Sequence, residues 1–333
     1  MIMNRDKWQK QGFIDEAIEE GTDLKAEIRR MSREKNAVIL AHYYTKPEIQ
    51  EVADFTGDSL ALAQQAAKTG AAIIVMCGVH FMAETCKILC GDAKKVLCPD
   101  MNAGCSLADS CRADDLRQWK EEHPGYTVIS YVNTTAEVKA LSDIVVTSGN
   151  AVKVVESFPR DERILFGPDY NLGSYINSVT GRKMLLWNGG CHVHERFSTE
   201  AIVALRREHP QAKVLAHPEC KGPVLALADV IGSTAKLLSY VSEHGNGGEY
   251  IIATEPGILH EMRRQCKDAI FLPVPPETSE SGASCSCNEC EFMKLNTLEK
   301  LYNSLKYECP VVEISPELCA KAVKPIRRML AIK

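Results

Sequence analysis

The sequence predicts an α/β protein built from three similar αβα domains with small parallel sheets. Short β-branched apolar runs alternate with helix-like segments along the 333 residues, which is typical of βαβ units. Three of these runs end in similar polar stretches, "AVILAHYY", "YTVISYVN" and "AKVLAHPE", which recur about 87 residues apart. That period is too long for a solenoid repeat and indicates tandem domains of one kind. One large doubly wound sheet with chance similarity between its parts is the alternative.

Each predicted domain carries one loop cysteine near its end. We place the domains at residues 1–112, 113–199 and 200–333, the last with a C-terminal helical tail. Their loop cysteines, which have small or polar neighbours, are Cys105, Cys191 and Cys290.

Composition and charge restrict the class of protein. A net charge of −5 and 45% hydrophobic residues are typical of a globular enzyme, and no Lys/Arg block indicates a nucleic-acid partner. The charged N-terminus lacks an apolar stretch of signal-peptide length, and no membrane span follows, so we expect a cytoplasmic protein. In that reducing compartment the 14 cysteines are expected as free thiols, metal ligands or redox pairs.

The ends of the first strands carry pairs of polar residues, two positions apart. Residues two apart on a strand point to the same side, and ligands of open parallel sheets bind beyond the carboxyl ends of the strands. A pseudo-threefold arrangement of the domains would bring the pairs to one central pocket. The pairs are His42 and Tyr44, Tyr131 and Asn133, and His217 and Glu219.

Each repeat continues with an expected second strand, in "AAIIVMCGVHF", "DIVVTSGNA" and "DVIGSTA", and an expected third, in "KVLCPD", "RILFGPD" and "YIIATEPG". Two hydroxyl residues open the segments that follow the second strands. Ser148 lies in "TSGNA" and Thr234 lies in "GSTAK". Hydroxyls and backbone N–H groups at a helix start suit a phosphate or a carboxylate. For each residue alone, an ordinary N-cap is the simpler interpretation.

The cysteine pattern is compatible with two alternative kinds of metal site. The stretch "SGASCSCNEC" alone suggests zinc, with a distant ligand such as a histidine of "CHVH" giving Cys₃His. The repeat instead suggests one thiolate from each domain on a shared [4Fe–4S] cluster, which leaves one iron open as a Lewis acid. Spacing alone does not separate zinc from iron–sulfur.

Long motifs in a fixed order resemble the quinolinate synthases from about residue 35 onward. These motifs are "AHYYTKPEIQEVADFTGDSLALA", "FMAETCKIL", "AGCSLAD", "YVNTTAEVKALSD", "HPEC", "IGST" and "CNECEFMKLNTLEKL". The resemblance implies three α/β domains in pseudo-threefold array around a [4Fe–4S] cluster. It also implies condensation of iminoaspartate with dihydroxyacetone phosphate to quinolinate, phosphate and water, a step of NAD biosynthesis. A zinc-dependent hydrolase or lyase, and a non-enzymatic iron–sulfur sensor, are the alternatives.

The same resemblance implies a set of site residues and partners. The expected cluster ligands are Cys105, Cys191 and Cys290. The expected substrate-binding residues are His42, Ser59, Tyr131, Asn133, Ser148, His194, His217, Glu219 and Thr234. For catalysis we expect Tyr44 to polarise the ketone, and His217 and Glu219 to transfer protons. The expected partners are the two small-molecule substrates, and the enzyme that produces iminoaspartate is a further candidate.

Three further cysteines have open roles. Cys285 and Cys287, in a C-x-C-x₂-C arrangement with Cys290, allow a redox-responsive pair that competes with the cluster. Free thiols near solvent are the simpler interpretation for these two and for Cys111.

Overall fold

The computed structural model describes residues 2–245, 247–277 and 288–332. It divides into two compact units. One contains Met1–Pro124, Val132–Val145 and Glu291–Lys333, and the other contains Gly125–Tyr131 and Val146–Cys290. The strands form three four-stranded sheets, which confirms the predicted α/β class with three similar parallel sheets. The three-domain boundaries stay a prediction.

The first sheet follows two N-terminal helices, α1 (Ile2–Gln11) and α2 (Leu24–Glu34). Its strands are β1 (Ala37–His42), β2 (Phe55–Gly57), β3 (Ile73–Cys77) and β4 (Lys95–Leu97). Between them lie α3 (Pro47–Val52), α4 (Ser59–Lys68), α5 (His80–Cys90) and a 3₁₀ turn at Gly91–Ala93. The strand order is β2-β1-β3-β4, with parallel pairing throughout.

The second sheet follows α6 (Ser106–Asp109) and α7 (Ala113–Glu122). Its strands are β5 (Thr127–Tyr131), β6 (Ile144–Val146), β7 (Ile164–Gly167) and β8 (Leu185–Leu186). The intervening helices are α8 (Ala136–Leu141), α9 (Ala151–Glu156) and α10 (Tyr170–Thr180). The strand order is β6-β5-β7-β8.

The third sheet follows a 3₁₀ turn at His194–Arg196 and α11 (Thr199–Glu208). Its strands are β9 (Lys213–Ala216), β10 (Val230–Ile231), β11 (Glu249–Ala253) and β12 (Ile270–Pro273). The intervening helices are α12 (Gly222–Ala226), α13 (Thr234–His244) and α14 (Ile258–Gln265). The strand order is β10-β9-β11-β12, in parallel pairs.

All three sheets have the same order, in which the first strand lies between the second and the third. This common order corrects one detail of the sequence comparison. The stretch "AAIIVMCGVHF", which the sequence predicts as the second strand of the first repeat, contains β3. The second strand is instead the short β2, Phe55–Gly57. "KVLCPD" contains the fourth strand, β4, rather than the third.

Short polar side chains fix where most of the longer helices begin. Asp58 accepts a hydrogen bond from the Ala61 N–H at the start of α4, and Ser233 accepts one from the Lys236 N–H at the start of α13. Such caps satisfy backbone donors that have no partner inside the helix. The caps of α4 and α13 therefore place the starts of these two helices just beyond a strand end.

Each sheet of these αβα layers packs apolar side chains against its helices. In the first unit, the core of the first sheet includes Ile39 and Val75 from its strands and Ile28 from α2. In the second unit, the core of the third sheet includes Val214 and Ile251. These side chains are fully buried, and burial of apolar area is the main stabilising term in such cores.

The C-terminal segment forms α15 (Glu291–Lys294), α16 (Leu298–Tyr307) and α17 (Pro316–Ala331). Leu301 and Leu305 of α16 join the core of the first sheet, and α17 packs against α5 and α8. Among the helices of the described residues, none has the length and apolarity needed to cross a membrane.

Candidate active site

The polar residues chosen from the sequence lie at the carboxyl ends of the central strands. His42 is the last residue of β1, Tyr131 is the last residue of β5, and His217 directly follows β9. Because the three sheets share one strand order, these positions are equivalent. Polar side chains therefore lie at the carboxyl end of the first strand in every sheet. Open parallel sheets bind their ligands beyond this end of the strands.

His42 and His217 each accept a hydrogen bond from the backbone N–H two residues further along the chain. The Tyr44 N–H donates to Nδ1 of His42 at 3.1 Å, and the Glu219 N–H donates to Nδ1 of His217 at 3.4 Å. A ring nitrogen that accepts a hydrogen bond carries no proton, so a neutral ring holds its proton on Nε2. The strand end thus fixes which nitrogen each imidazole presents as a donor.

A buried polar network lies in the second unit. The Tyr131 hydroxyl donates to Oε1 of Glu219 at 2.5 Å, and Oε2 of Glu219 is 2.9 Å from Nδ1 of His194. That same Nδ1 is 3.2 Å from Sγ of Cys191, and Nε2 of His194 is 3.0 Å from Oγ1 of Thr254. Four residues chosen from the sequence, with Thr254, therefore form one connected group.

His217 extends this network toward a hydroxyl. Its Nε2 is 3.2 Å from Oγ of Ser148, and its Nδ1 is 3.8 Å from Oε1 of Glu219. The rings of His217 and His194 lie 4.7 Å apart, centroid to centroid. The second unit thus brings together six of the residues singled out in the sequence: Tyr131, Ser148, Cys191, His194, His217 and Glu219.

Burial and hydrogen bonds set the charges of this group. Burial lowers the pKa of His217 to about 3, and His194 adds to this while Glu219 opposes it, so the ring is neutral near pH 7. Burial raises the pKa of the Tyr131 hydroxyl, and the Glu219 charge raises it further. For Glu219, the penalty of burial is outweighed by His194 and by the hydrogen bonds from His194 and Tyr131, so the pKa of Glu219 is lowered and the carboxyl is ionised.

Three hydroxyl residues occupy equivalent positions after the second strands. Ser59 begins α4, Thr234 begins α13, and Ser148 follows β6. Capping does not account for Ser59 or Thr234, because Asp58 and Ser233 cap those helices. The corrected strand order therefore gives Ser59 the same support from the repeat that Ser148 and Thr234 already had.

The first unit contains the remaining substrate candidates. The rings of His42 and Tyr44 contact edge to face, with centroids 4.5 Å apart. Ser59 lines a small pocket with Phe81 and Val132. Asn133 follows β5 in the short segment before α8.

The three loop cysteines each follow the fourth strand of a sheet. Cys105 comes after β4, Cys191 after β8 and Cys290 after β12, and all three are half-buried. Cys111 is buried, so its interpretation as a thiol near solvent is wrong. Burial raises the pKa of Cys98 and Cys111 to about 12, as expected of unreactive core thiols. Cys285 and Cys287 lie outside the described residues.

The donor atoms around Cys191 suit a metal. Its Sγ, a ring nitrogen of His194 and a carboxylate oxygen of Glu219 all lie within 4.8 Å of one another. Thiolate is the ligand type of zinc and iron–sulfur sites, and a half-buried loop cysteine can reach such a group. The residues present therefore fit a thiolate-bound metal or cluster.

Three buried residues near this group were missed in the sequence. Asp169 and Glu255 lie two residues beyond the third strands β7 and β11, and both are fully buried. The two-residue rule used for the first strands would have found both. The Glu255 carboxylate accepts from the Cys290 N–H at 3.2 Å, and the Asn288 side chain donates to the Val193 carbonyl at 2.6 Å.

Comparisons with known proteins give a consistent result. A family described as Quinolinate synthetase A protein matches residues 26–331. Proteins named quinolinate synthase from a Cyanothece species and from Thermosynechococcus vestitus are 53% and 54% identical over 308 residues, which is 92% of this chain and 94% and 95% of theirs. One from a Synechocystis species is 51% identical over 310 residues, or 93% of this chain and 95% of its own. These matches confirm the resemblance and the expectation of an enzyme of this kind.

Proposed function

The chain belongs to the quinolinate synthetase A family, and we propose that it condenses iminoaspartate with dihydroxyacetone phosphate to form quinolinate, phosphate and water. One observation carries the proposal beyond the relatives' name. A buried ionised carboxylate, Glu219, lies between a tyrosine, two histidines and a half-buried cysteine at the strand ends. A buried carboxylate is costly unless it is paired or has a purpose, and proton transfer is such a purpose.

Cys105, Cys191 and Cys290 are the proposed ligands of a [4Fe–4S] cluster. Their support is the resemblance together with their common position after the fourth strands. When bound, a cluster with three thiolate ligands supplies an iron that polarises a substrate hydroxyl or carboxylate and assists dehydration.

Glu219 is the proposed general base and acid for the protons on the triose carbons. Its oxygens accept hydrogen bonds from Tyr131 and His194, which orient the carboxylate. The carboxyl is ionised, which is the protonation state from which a general base starts. Tyr131 and His194 also bind substrate in this proposal.

His217 has a narrower proposed role than the sequence suggested. A ring that stays neutral near pH 7 and holds its proton on Nε2 acts as a hydrogen-bond donor. Together with Ser148 and Thr234 it would bind a phosphate or carboxylate oxygen, and any proton it transfers would come from Nε2.

The strand-end residues of the first unit complete the proposal. Tyr44 would polarise the triose ketone, and Asn133 would position the half derived from the amino acid. His42 presents Nε2 as a donor in the same way as His217. Ser59, at the start of α4, would bind substrate as Ser148 and Thr234 do. The proposed partners are these small molecules and the enzyme that supplies iminoaspartate, and the proposed location is the cytoplasm.

Anaerobic purification with iron, sulfide and zinc analysis tests the cluster and its ligands. We expect about four irons and four sulfides per chain, with quinolinate formed from the two substrates. Cys105→Ala, Cys191→Ala and Cys290→Ala should each abolish both properties. Zinc without sulfide would instead favour a zinc hydrolase or lyase built on Cys191, His194 and Glu219, and would overturn the proposal.

The role of Glu219 has a separate test. Glu219→Gln keeps the size of the side chain but removes the base, so we expect kcat to fall about a hundredfold or more with iron content unchanged. Glu200→Gln, on the exposed face of α11, is the matched control and should retain full activity. Full turnover in Glu219→Gln would show that another group transfers the proton.

A further inference from the structure

Two buried charged side chains of the first unit hold the backbone that follows Asn133. Lys139 lies on α8 and is fully buried, and Glu84 lies on α5 and is 8% exposed. Nζ of Lys139 donates to the Thr134 carbonyl, and Oε2 of Glu84 accepts from the Ala136 N–H at 3.1 Å. The segment 133–136 is therefore fixed at a carbonyl and at an N–H by opposite charges.

The surroundings of Lys139 and Glu84 compensate part of the cost of burying their charges. Nζ of Lys139 lies over the Phe81 ring, 5.4 Å from its centroid, and Glu84 attracts it electrostatically. Charged groups are rarely buried unless they are paired and hydrogen-bonded. A pair of apolar side chains of similar volume would stabilise the fold as well or better. Stability alone therefore does not explain why the chain has a lysine and a glutamate here.

We propose that Lys139 and Glu84 are positioning residues, which hold the 133–136 backbone so that Asn133 meets the substrate in one orientation. The inference rests on the proposed function, because Asn133 is a proposed substrate residue. Neither Lys139 nor Glu84 needs to touch the substrate. Their effect passes through the two backbone hydrogen bonds.

The decisive variant replaces both charges at once. Lys139→Met alone leaves the Glu84 carboxylate buried without its partner and is expected to unfold more easily. Glu84→Leu/Lys139→Met removes both charges with little change in volume, so its Tm should lie above that of Lys139→Met. It should stay below that of the wild type, because the Thr134 carbonyl and the Ala136 N–H lose their partners. We nevertheless expect kcat/KM to fall roughly tenfold or more, mainly through KM for iminoaspartate, since small misplacements of binding groups are costly.

Two controls separate positioning from general packing. Lys120→Met removes a different lysine that donates to a backbone carbonyl, that of Leu141 at the other end of α8, and should leave kcat/KM unchanged. In a mutant cycle, adding Glu84→Leu/Lys139→Met to Asn133→Ala should cause no further loss of kcat/KM, because both changes act through Asn133. Iron and sulfide analysis of each variant shows whether the cluster is retained, since Cys105 also acts electrostatically on Lys139.

Amide hydrogen exchange of residues 133–136 gives a readout that does not depend on activity. We expect faster exchange of these amides in Glu84→Leu/Lys139→Met than in the wild type, relative to amides elsewhere in the first unit. If kcat/KM and exchange both recover together with Tm, the pair is merely structural and the inference is wrong. If the wild type makes no quinolinate, the proposed function fails, and the exchange measurement still decides whether the pair holds this segment.

Discussion

The imidazole of His217 has a different partner at each ring nitrogen. Nδ1 accepts from the Glu219 N–H, and Nε2 faces the Ser148 hydroxyl. The equivalent His42 uses the same backbone contact, from the Tyr44 N–H. The backbone N–H two residues after each histidine therefore fixes the tautomer that carries its proton on Nε2. A neutral imidazole needs a fixed tautomer to act as a hydrogen-bond donor at a defined position.

Burial of His217 predicts a pH dependence of stability. Its pKa falls from 6.5 to about 3 on folding, so between these values the unfolded chain takes up a proton that the folded chain does not. Its contribution to stability is therefore complete above pH 6.5 and is lost as the pH falls toward 3. From pH 6.5 to pH 5 we expect a loss of about 2 kcal/mol in the free energy of unfolding from this group.

Denaturant unfolding at the two pH values, under anaerobic conditions, measures this loss. His217→Gln cannot take up the proton, so its loss between pH 6.5 and pH 5 should be smaller than that of the wild type. His244→Gln, at the exposed end of α13, is the control and should behave as the wild type does. Equal pH dependence in all three proteins would show that His217 titrates normally in the folded chain.

At the scale of elements, the repeat made the central strands predictable. The first strand of each sheet is an apolar run that ends in polar residues, because it is buried on both faces and is open to a ligand only at its end. The second strands have only two or three residues, and Phe55 and Thr56 of β2 are partly exposed. Such short edge strands have little apolar signal, which is why the sequence comparison passed over β2.

At the starts of α4 and α13, we expect the cap residue to contribute to stability and the first helical residue to contribute to substrate binding. Ser233 caps α13, whereas Thr234 is the first residue inside that helix. Ser233→Ala should cost about 1 kcal/mol of stability and leave KM unchanged. Thr234→Val should raise KM for the substrates, because it removes the hydroxyl and keeps the shape of the side chain.

Chemical denaturation and steady-state kinetics on the same preparations make this comparison. Asp58→Ala and Ser59→Ala form the matched pair at α4, and the same separation is expected there. If Thr234→Val loses stability and keeps its KM, the hydroxyl is a structural group and the proposed substrate contact is wrong.

At the scale of the whole molecule, contacts between distant parts of the chain were beyond the sequence. Tyr131 and Glu219 are 88 residues apart and meet at 2.5 Å, and Asn288 reaches the Val193 carbonyl 95 residues away. A strand-end pattern identifies which side chains leave a sheet. It does not show which of them meet, because that depends on how two sheets pack within a unit. The pairing of Tyr131 with Glu219 therefore needed the structure.

A cluster bound by one cysteine from each sheet should stabilise the entire fold. A group that binds only the folded chain adds to its stability, by about 2.7 kcal/mol at a hundredfold excess over Kd. A change of about 1 kcal/mol shifts Tm by about 2–4 °C in chains of 150–250 residues. We therefore expect removal of the cluster from the wild type to lower Tm by roughly 5 °C or more.

Calorimetry before and after oxidative removal of the cluster measures this shift, and the cysteine variants assign it. Cys105→Ala, Cys191→Ala and Cys290→Ala should each have the lower Tm from the start and show no further shift, because one missing ligand prevents loading. Cys319→Ala, on the C-terminal helix α17, should keep the full shift. If Cys105→Ala alone kept it, the ligands would come from the second and third sheets only. The three equivalent sheets would then not share one cluster.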